Sequence, residues 1–512
     1  MNIGITTIYA HRPIVNFSAY LAKLLADNGD NISSLVCDAS LPTCYSILSK
    51  NSNKLRECPK CIIGGLRSYD IDNYYSINKE RKSKLNKANI SEIAMSSIMT
   101  LERAEVPEHV SNDRRSLKEQ SMLGESVSIA YQNTIDWIEK EKLDLVICYN
   151  GRMDVTKAII SACENKGVKF ITLERAPYGY GIQLIPEGNC LSLSERISMN
   201  EYFKDIELSV NENKIANWLA NMRISQESHL EWRTYKLNEI EKDDRFIHPK
   251  IIILPSSGCE FYGNKEWESP WGHFTNALDT FLDKLQGYTV DDIAIKMHPV
   301  WEQNIGSKGG EHITDYYREW SIKNGVRIIE ASDPIPTNTL ISNAELVVVG
   351  GSSAGVDAAL LGKKVLLLGR SHYEGAGFVC QIRSDSEWGK LDSLDFDDTD
   401  KIISRAKKYL LTVTFRHPRF SDKVVPLSYF KYSFKDDSAD CIYEMARTGE
   451  LSPWNVDFSN FDVDSELTKN GNLINIPSNA KFISVKRRVM YRWVDSIRGL
   501  FPRGDEIKKG KK

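Results

Sequence analysis

Two parts of the chain alternate short apolar runs with amphipathic, helix-like stretches. The first part contains NIGIT, SSLVC, DLVICYNGR and KFITLER, and the second contains KIIILPSSG, DDIAIKMHP, VRIIE, ELVVVGGSS and KVLLLG. Continuous apolar runs rich in β-branched residues predict strands that are covered on both faces, as in parallel sheets. Strands that alternate with helices favour parallel order with helical crossovers. The pattern therefore predicts an α/β fold with two Rossmann-like domains.

Breaks in this pattern divide the chain into four segments. Residues 1–205 are interpreted as a first α/β domain with a cysteine cluster and a polar helical insertion that has no clear strands. Residues 206–248 are charged and helical in pattern, which is typical of a linker. Residues 249–450 are interpreted as a second α/β domain, and residues 451–512 as an extension with a basic amphipathic helix. We expect the two domains to face each other across a cleft, with ligands at the carboxyl ends of the strands.

Composition narrows the class of protein. The 512 residues are 41% apolar and 26% charged, which is typical of a globular protein, and the net charge is −3. This balance gives no general case for nucleic-acid binding. The first residues lack a basic segment followed by a long apolar core, so we expect no signal peptide. No run approaches the ~18 apolar residues that span a bilayer. We therefore predict a cytoplasmic protein whose cysteines are mostly reduced.

A Gly-Gly-Ser-Ser turn follows the most apolar strand of the second domain. Gly350 and Gly351 permit a tight turn and close approach of another molecule to the backbone. Ser352 and Ser353 then stand at the start of a predicted helix. The free N–H groups and the dipole of a helix start attract anions, and two hydroxyl groups add donors. The serines equally suit simple helix caps, and the local pattern leaves both interpretations open.

Polar side chains follow three predicted strands of the second domain, at the point where each strand ends. They are Ser256, Ser257 and Glu260 after the first strand, Lys296 and His298 after the second, and Ser352, Ser353 and Asp357 after the third. Strand ends of one parallel sheet lie along the same edge, so these groups are expected to converge. Serine, histidine and lysine suit a phosphate or diphosphate ester, and a carboxylate suits ribose hydroxyls.

Two stretches of this domain resemble bacterial capsule polysaccharide glycosyltransferases. These are IKMHPVWE and GGSSAGVDAALLGKKVLLLGRSHYEGAGF, and the resemblance extends over roughly residues 250 to 380. It implies the GT-B fold and a kinship with β-Kdo transferases. In that family a His-Pro pair and a Ser-Ser or Ser-Thr pair hold the phosphate of a nucleotide-sugar donor, which corresponds to His298-Pro299 and Ser352-Ser353. Asp357 stands where glutamate is usual, and Cys259 replaces an aspartate.

The resemblance also implies a carboxylate base in a strand-end loop of the first domain. Glu174, in FITLERAPYG, stands at that place, and Arg175 replaces the second acidic residue of the family motif. Asp154 is the alternative base. Asn150 and Arg152 follow a neighbouring strand and are expected to orient an acidic acceptor sugar. A solvent-exposed carboxylate paired with Arg175 is the competing interpretation of Glu174. No Asp-x-Asp motif stands at a predicted strand end, which favours transfer without a metal.

Four cysteines fall within one short segment of the first domain. They are Cys37, Cys44, Cys58 and Cys61, of which the last two form a C-x2-C pair. Four thiolates suit tetrahedral zinc, with an iron–sulfur cluster as the alternative. A structural zinc site therefore competes with reduced thiols that are close only in sequence. No cofactor is expected for catalysis.

The stretch KFISVKRRVMYRWVDSIRGLF, residues 481–501, places apolar residues near helical spacing among lysines and arginines. Such a basic amphipathic helix can lie on an anionic membrane surface. It can equally pack back on the first domain with its basic residues in solvent, and we favour this packing. Because envelope polysaccharides are commonly built on lipid carriers at the inner leaflet, peripheral contact with the inner membrane remains a hypothesis.

Together these features predict an inverting glycosyltransferase of surface polysaccharide synthesis. The expected donor is a nucleotide-sugar, with a CMP-linked acidic sugar favoured, and the acceptor is a polysaccharide or lipid-linked glycan. His298, Ser352, Ser353 and Lys296 would bind the departing phosphate at the Gly351 turn, and Asp357, Glu260 and Ser257 the rest of the nucleotide. A nucleotide-sugar 2-epimerase uses the same two-domain plan. A non-catalytic GT-B module that binds glycan is the alternative outside enzymes.

Overall fold

The structure is a computed structural model. It describes residues 1–493 except for residues 72, 177–180, 226–248, 299–300, 302–303, 334, 393–397, 418–419, 421–422, 429–430, 452–457 and 460–480. The predicted linker from residue 226 onward and Pro299 therefore lie outside the described residues.

Two six-stranded sheets and one small sheet organise the chain. The first sheet has the order β3-β2-β1-β4-β5-β6, with β1 (Asn2–Thr6), β2 (Asn31–Val36), β3 (Asn73–Ser76), β4 (Leu145–Tyr149), β5 (Lys169–Arg175) and β6 (Ile182–Pro186). The second has the order β12-β11-β10-β7-β8-β9, with β7 (Ile251–Leu254), β8 (Ile293–Lys296), β9 (Arg327–Ile329), β10 (Leu346–Val349), β11 (Lys364–Leu367) and β12 (Cys380–Gln381). The third joins β13 (Val424–Ser428), β14 (Lys431–Lys435) and β15 (Phe482–Ile483) in antiparallel order.

Fifteen α-helices connect or flank these strands in the part of the chain that the structure describes. They are α1 (Ile14–Asp27), α2 (Tyr45–Leu48), α3 (Lys54–Gly64), α4 (Lys87–Glu102), α5 (Arg114–Glu141), α6 (Asp154–Lys166), α7 (Ser194–Phe203), α8 (Val210–Ile224), α9 (Phe274–Lys284), α10 (Glu311–Asn324), α11 (Thr337–Asn343), α12 (Ala354–Leu360), α13 (Gly389–Asp392), α14 (Thr399–Leu411) and α15 (Asp440–Thr448). A π-helical turn, Thr412–Arg416, extends α14.

The predicted α/β fold with two Rossmann-like domains is confirmed by the sheet topology. Every pairing in the second sheet is parallel, and in the first sheet only β6 runs antiparallel, against β5. The central strands are buried along their length because helices cover both faces of each sheet. Edge strand β3 was not predicted, because NYYS has no apolar run and lies half in solvent.

Core packing divides the chain differently from the predicted boundaries. Ile215 and Leu219 of α8, within the predicted linker, pack in the core of the second domain with Val356. Phe434 and Ile442, within the segment predicted for the second domain, pack in the core of the first domain. The chain therefore returns to the first domain before residue 450, and α8 is part of the second domain.

The C-terminal segment also packs on the first domain, but not as the predicted helix. Phe482–Ile483 is a strand paired with β14, and helical structure begins only at residue 489. Arg487 is buried, and its Nε donates to Ser68 Oγ at 3.2 Å; Arg488 Nε donates to the carbonyl of Tyr69 at 2.8 Å. The expected packing on the first domain is correct, whereas the expectation that its basic residues lie in solvent fails for Arg487.

Membrane contact by this segment stays a prediction. Val489, Met490 and Trp493 are exposed on its last described turn. Among the residues that the structure describes, no helix combines the length and the apolar character needed to cross a bilayer.

We expect Phe434→Ala to destabilise the first domain, because the Phe434 ring stacks on Tyr20 with centroids 4.6 Å apart and is 1% exposed. Loss of a buried aromatic side chain should lower the free energy of unfolding by about 3 kcal/mol. Urea unfolding followed by circular dichroism measures the change. Phe482→Ala, at a ring that is 47% exposed on the neighbouring strand, is the control. Equal stability of the two variants would contradict the packing described for β14.

Candidate functional site

The strand-end loops of the two sheets contact each other. Arg152, after β4, donates from Nη1 to the carbonyl of Glu260, after β7, at 2.8 Å. Asn264 Nδ2 donates to Asn189 Oδ1 at 3.2 Å. The loops after β4, β6 and β7 therefore meet at one boundary between the domains, where ligands bind in two-domain α/β proteins.

Asn150 and Glu174 form a pair on the first-domain side. Asn150 adopts a left-handed conformation, φ 66°, at the end of β4, and its Nδ2 donates to Glu174 Oε2 at 3.0 Å. Burial raises the pKa of the Glu174 carboxyl, while the hydrogen bond from Asn150 opposes this rise. A carboxylate whose pKa lies closer to neutrality is better suited to accept a proton from a sugar hydroxyl. The backbone N–H of Arg175 also donates to Glu174 Oε1, at 3.1 Å, and the role of Glu174 as a general base stays a prediction.

The side chain of Asp154, the alternative base, is buried in the first domain and hydrogen-bonded to its neighbours. Its side chain is 0% exposed, and Tyr9 donates its hydroxyl to Oδ1 at 2.5 Å. Ser97 also donates to Oδ1, and the backbone N–H of Tyr45 donates to Oδ2. Because Asp154 is fully buried as well as bonded at both oxygens, it is not accessible to an acceptor hydroxyl, whereas Glu174 is partly exposed.

Arg152 was expected to orient an acidic sugar, and its Nη1 is engaged within the protein. Besides the carbonyl of Glu260, its Nη1 contacts Ser96 Oγ at 3.0 Å and Thr100 Oγ1 at 3.3 Å. The arginine thus joins α4 to the loop after β7. Glu260 contributes its carbonyl to this contact, and its side chain is exposed.

Close packing accounts for the glycines of the Gly-Gly-Ser-Ser turn. A Cβ at Gly350 would lie 3.0 Å from the Phe274 ring. Gly351 has φ 132°, and a Cβ there would lie 2.3 Å from the carbonyl oxygen of Arg370. Ser352 Oγ accepts the N–H of Ala354 at 3.3 Å, so this serine partly caps the helix. Ser353 is exposed, and within the described part of the chain its side chain caps no backbone N–H.

Trp301 connects two of the predicted donor-binding groups. Its Nε1 donates to Ser257 Oγ at 2.6 Å, and its ring centroid lies 6.2 Å from that of His298. Trp301 itself is fully buried and stacks on Tyr317. A rigid tryptophan therefore supports Ser257 and lies beside His298, which is partly exposed.

Two side chains that were predicted to bind ligand are instead bonded to other residues of the protein. Lys296 is 4% exposed, and its Nζ donates to the carbonyls of Glu330 at 2.7 Å and Asp333 at 3.0 Å. Asp357 pairs with Arg223 of α8, at 2.6 Å from Nε to Oδ1 and 3.1 Å from Nη2 to Oδ2. The geometry thus assigns Lys296 and Asp357 to structural contacts rather than to phosphate and ribose.

Sequence reasoning missed a polar bridge between the domains beside Glu174. Arg196 of α7 donates to His372 Nδ1 at 3.0 Å and to the carbonyl of Cys190 at 3.0 Å, and Cys190 Sγ lies 3.2 Å from Asn150 Nδ2. Burial, reinforced by the Arg196 charge, lowers the pKa of His372 well below its usual value, so the ring is neutral. His372 lay in the quoted stretch GRSHYEGAGF, whereas Arg196 carried no motif signal.

The four clustered cysteines are free thiols in this structure. Burial raises the pKa values of Cys37, Cys44 and Cys58, which favours the protonated thiol over the metal-binding thiolate. Among the described residues, no group of three or more histidine, cysteine, aspartate or glutamate side chains is arranged to hold a metal ion. The zinc site, with its iron–sulfur alternative, stays a prediction without geometric support.

The structure has the arrangement in which two-domain α/β proteins bind ligands, a cleft at the strand ends between two Rossmann-like domains. One known protein family matches part of the chain. Residues 265–415 match the family described as "Capsule polysaccharide biosynthesis protein". The matched segment contains β8 to β11 and the Gly-Gly-Ser-Ser turn, so the predicted resemblance to capsule polysaccharide proteins is confirmed over this part of the second domain. No protein of curated function matches the chain.

Several solved structures are similar at low identity. A β-Kdo 2,4 transferase, KpsC of Thermosulfurimonas dismutans, is 13% identical over 61% of this chain and 84% of its own, with a TM-score of 0.35. The UDP-GlcNAc 2-epimerase of Neisseria meningitidis, bound to UDP-GlcNAc, is 12% identical over 81% of this chain and 99% of its own, with a TM-score of 0.23. The sheet topology, rather than these likenesses, establishes the fold.

We expect Lys296→Met to lower stability without weakening nucleotide binding. The variant leaves two partly buried carbonyls without their donor, which should cost about 2 kcal/mol in the free energy of unfolding. Urea unfolding and nucleotide titration separate the two effects. Lys323→Met, at a side chain that is 71% exposed, is the control and should change neither quantity. If Lys296→Met had normal stability but did not bind nucleotide, Lys296 would instead be assigned to the phosphate site.

Proposed function

We propose that the protein is a glycosyltransferase of bacterial capsule or surface polysaccharide synthesis. The observation that carries the proposal is the family match over residues 265–415, which includes the second-domain segment with His298 and the Gly-Gly-Ser-Ser turn. The Glu174–Asn150 pair on the first-domain side supports it, because transfer needs a base as well as a donor site. The favoured donor is a nucleotide-activated acidic sugar, and the acceptor is a glycan.

The proposed mechanism assigns one task to each side of the cleft. Glu174 accepts the proton of the acceptor hydroxyl, with Asn150 orienting its carboxylate, and the oxygen attacks the anomeric carbon with inversion. The bond from that carbon to the donor phosphate breaks as the new bond forms. His298, Ser352 and Ser353 stabilise the negative charge on the departing phosphate, which is the largest electrostatic contribution to such a step.

A nucleotide screen tests the donor site. We expect one of CMP, UDP, GDP and dTDP to raise the melting temperature of the purified protein. His298→Ala and Ser352→Ala should reduce that shift, because each removes a proposed phosphate contact. Ser386→Ala, at a serine that contacts Ser384 on an exposed turn, is the control. A nucleotide shift that survives both substitutions would place the nucleotide elsewhere, and no shift with any nucleotide would favour the non-catalytic module.

Replacing the proposed base separates binding from chemistry. Glu174→Gln retains an oxygen for the Asn150 amide but cannot take a proton, so we expect kcat to fall about 100-fold or more while nucleotide affinity stays unchanged. Nucleotide release from a panel of nucleotide-sugars with glycan acceptors measures the rate. Glu187→Gln, at a first-domain glutamate that accepts the Phe170 N–H, is the control.

The pH dependence gives a second signature of the same group. A base must be ionised, so activity should fall as the pH drops through the pKa of Glu174. Since burial raises that pKa above its ordinary value of 4.5, the acid limb should lie above pH 4.5 and should be absent from residual Glu174→Gln activity. Interconversion of free UDP-sugars without any acceptor would instead indicate a 2-epimerase.

A further inference from the structure

The helical insertion of the first domain is anchored in the second domain. At the end of α4, Arg103 adopts a left-handed conformation, φ 56°, which turns the chain away from the helix axis. Met99 and Ala104, on either side of this turn, are 0% exposed and pack in the core of the second domain. The next residue, Glu105, is thereby held against the loop that follows β7.

Glu105 is a buried carboxylate that accepts hydrogen bonds from the other domain. Its Oε2 and Oε1 lie 2.9 Å and 3.0 Å from the backbone nitrogen of Gly258, and Oε2 lies 3.2 Å from His273 Nε2. A Cβ at residue 258 would lie 2.9 Å from Oε2, so the glycine leaves room for the carboxylate. Hydrogen bonds to an ionised acceptor are stronger than neutral ones, and burial at 4% exposure keeps water from competing.

The backbone N–H of Thr275 determines which ring nitrogen of His273 donates to Glu105. The backbone N–H of Thr275 donates to His273 Nδ1 at 3.2 Å, where the histidine caps the start of α9. Because Nδ1 accepts, the proton of the neutral ring resides on Nε2, which donates to Glu105. Thr275, His273, Glu105 and Gly258 therefore form one chain of hydrogen bonds from α9 to the loop.

Among the described residues, this loop, Ser256–Glu260, is attached at four points, and three of them come from the first domain. Glu105 holds Gly258, Thr100 Oγ1 donates to the carbonyl of Cys259 at 3.4 Å, and Arg152 holds the carbonyl of Glu260 at 2.8 Å. Trp301 of the second domain supplies the fourth attachment, at Ser257. The conformation of a loop expected to contact nucleotide is thus imposed largely by the opposite domain.

We propose that Glu105 is a positioning residue for the nucleotide-binding loop Ser256–Glu260. Through it, binding of a nucleoside phosphate by the second domain depends on the helical insertion of the first. The inference rests on the proposed function for the identity of the ligand, and it adds a residue that touches neither the sugar nor the phosphate.

The test uses the full-length Glu105→Ala variant. We expect about tenfold weaker binding of the nucleotide that stabilises the wild-type protein, since hydrogen bonds to a charged group are lost. Amide hydrogen exchange should accelerate over residues 256–260 and remain unchanged in β1 and β4. Glu108→Ala is the matched control, because Glu108 belongs to the same insertion, carries the same charge and is exposed. It should change neither measurement.

Glu105→Gln distinguishes positioning from general stability. Its amide oxygen can still accept the Gly258 N–H, while its amide N–H groups face the fixed donor of His273. We therefore expect partial rescue of nucleotide affinity and of slow exchange at residues 256–260. If transfer is measured, the KM for the donor should rise in Glu105→Ala with kcat largely retained.

Three possible results decide whether Glu105 positions residues 256–260. Wild-type nucleotide affinity and loop exchange in Glu105→Ala would overturn the inference while leaving the proposed function intact. Faster exchange spread evenly over both domains, without rescue by Glu105→Gln, would also overturn it, because that pattern reports only lost stability. If the wild-type protein binds no nucleotide, the proposed function fails, and local loop exchange still decides whether Glu105 positions residues 256–260.

Discussion

Parallel strand order is the constraint on which the site depends. Parallel strands must be joined by crossovers, so the parallel strands of a sheet end at the same edge, and sheets covered on both faces leave most polar residues to the loops. In this protein the edges of two such sheets meet, which brings Asn150 and Glu174 of one sheet to the boundary reached by the loop after β7 of the other. Neither sheet alone supplies both the Asn150–Glu174 pair and the loop after β7.

Three carboxylates near this boundary show how environment decides what a residue can do. Asp154 accepts hydrogen bonds at both oxygens inside the first domain, and Asp357 pairs with Arg223. Glu174 accepts hydrogen bonds from the Asn150 amide and from the backbone N–H of Arg175, and it is partly exposed. Burial raises the pKa of both Asp154 and Glu174, so accessibility, rather than pKa, distinguishes Glu174 from the fully buried Asp154.

The sequence alone was sufficient to predict the features of the fold that follow from apolar runs. The buried strands, the two domains and the Gly-Gly-Ser-Ser turn were predicted because runs such as LVVV have few alternatives to a covered strand. Edge strand β3 and the strand Phe482–Ile483 were missed, since their partners come from distant parts of the chain. Lys296 was placed correctly at a strand end, but pattern carries no information on the carbonyls of Glu330 and Asp333 that engage it.

The two domains are separate in topology but not in packing. The insertion buries Met99 and Ala104 in the second domain, while the chain after the second sheet returns to bury Phe434 in the first. Such exchanged segments make each core depend on the presence of the other domain, because their apolar surface would otherwise face water. Relative motion of the domains must then either preserve these contacts or break buried hydrogen bonds such as that between Glu105 and Gly258. The cleft is therefore better understood as one assembled site than as an acceptor module facing a donor module.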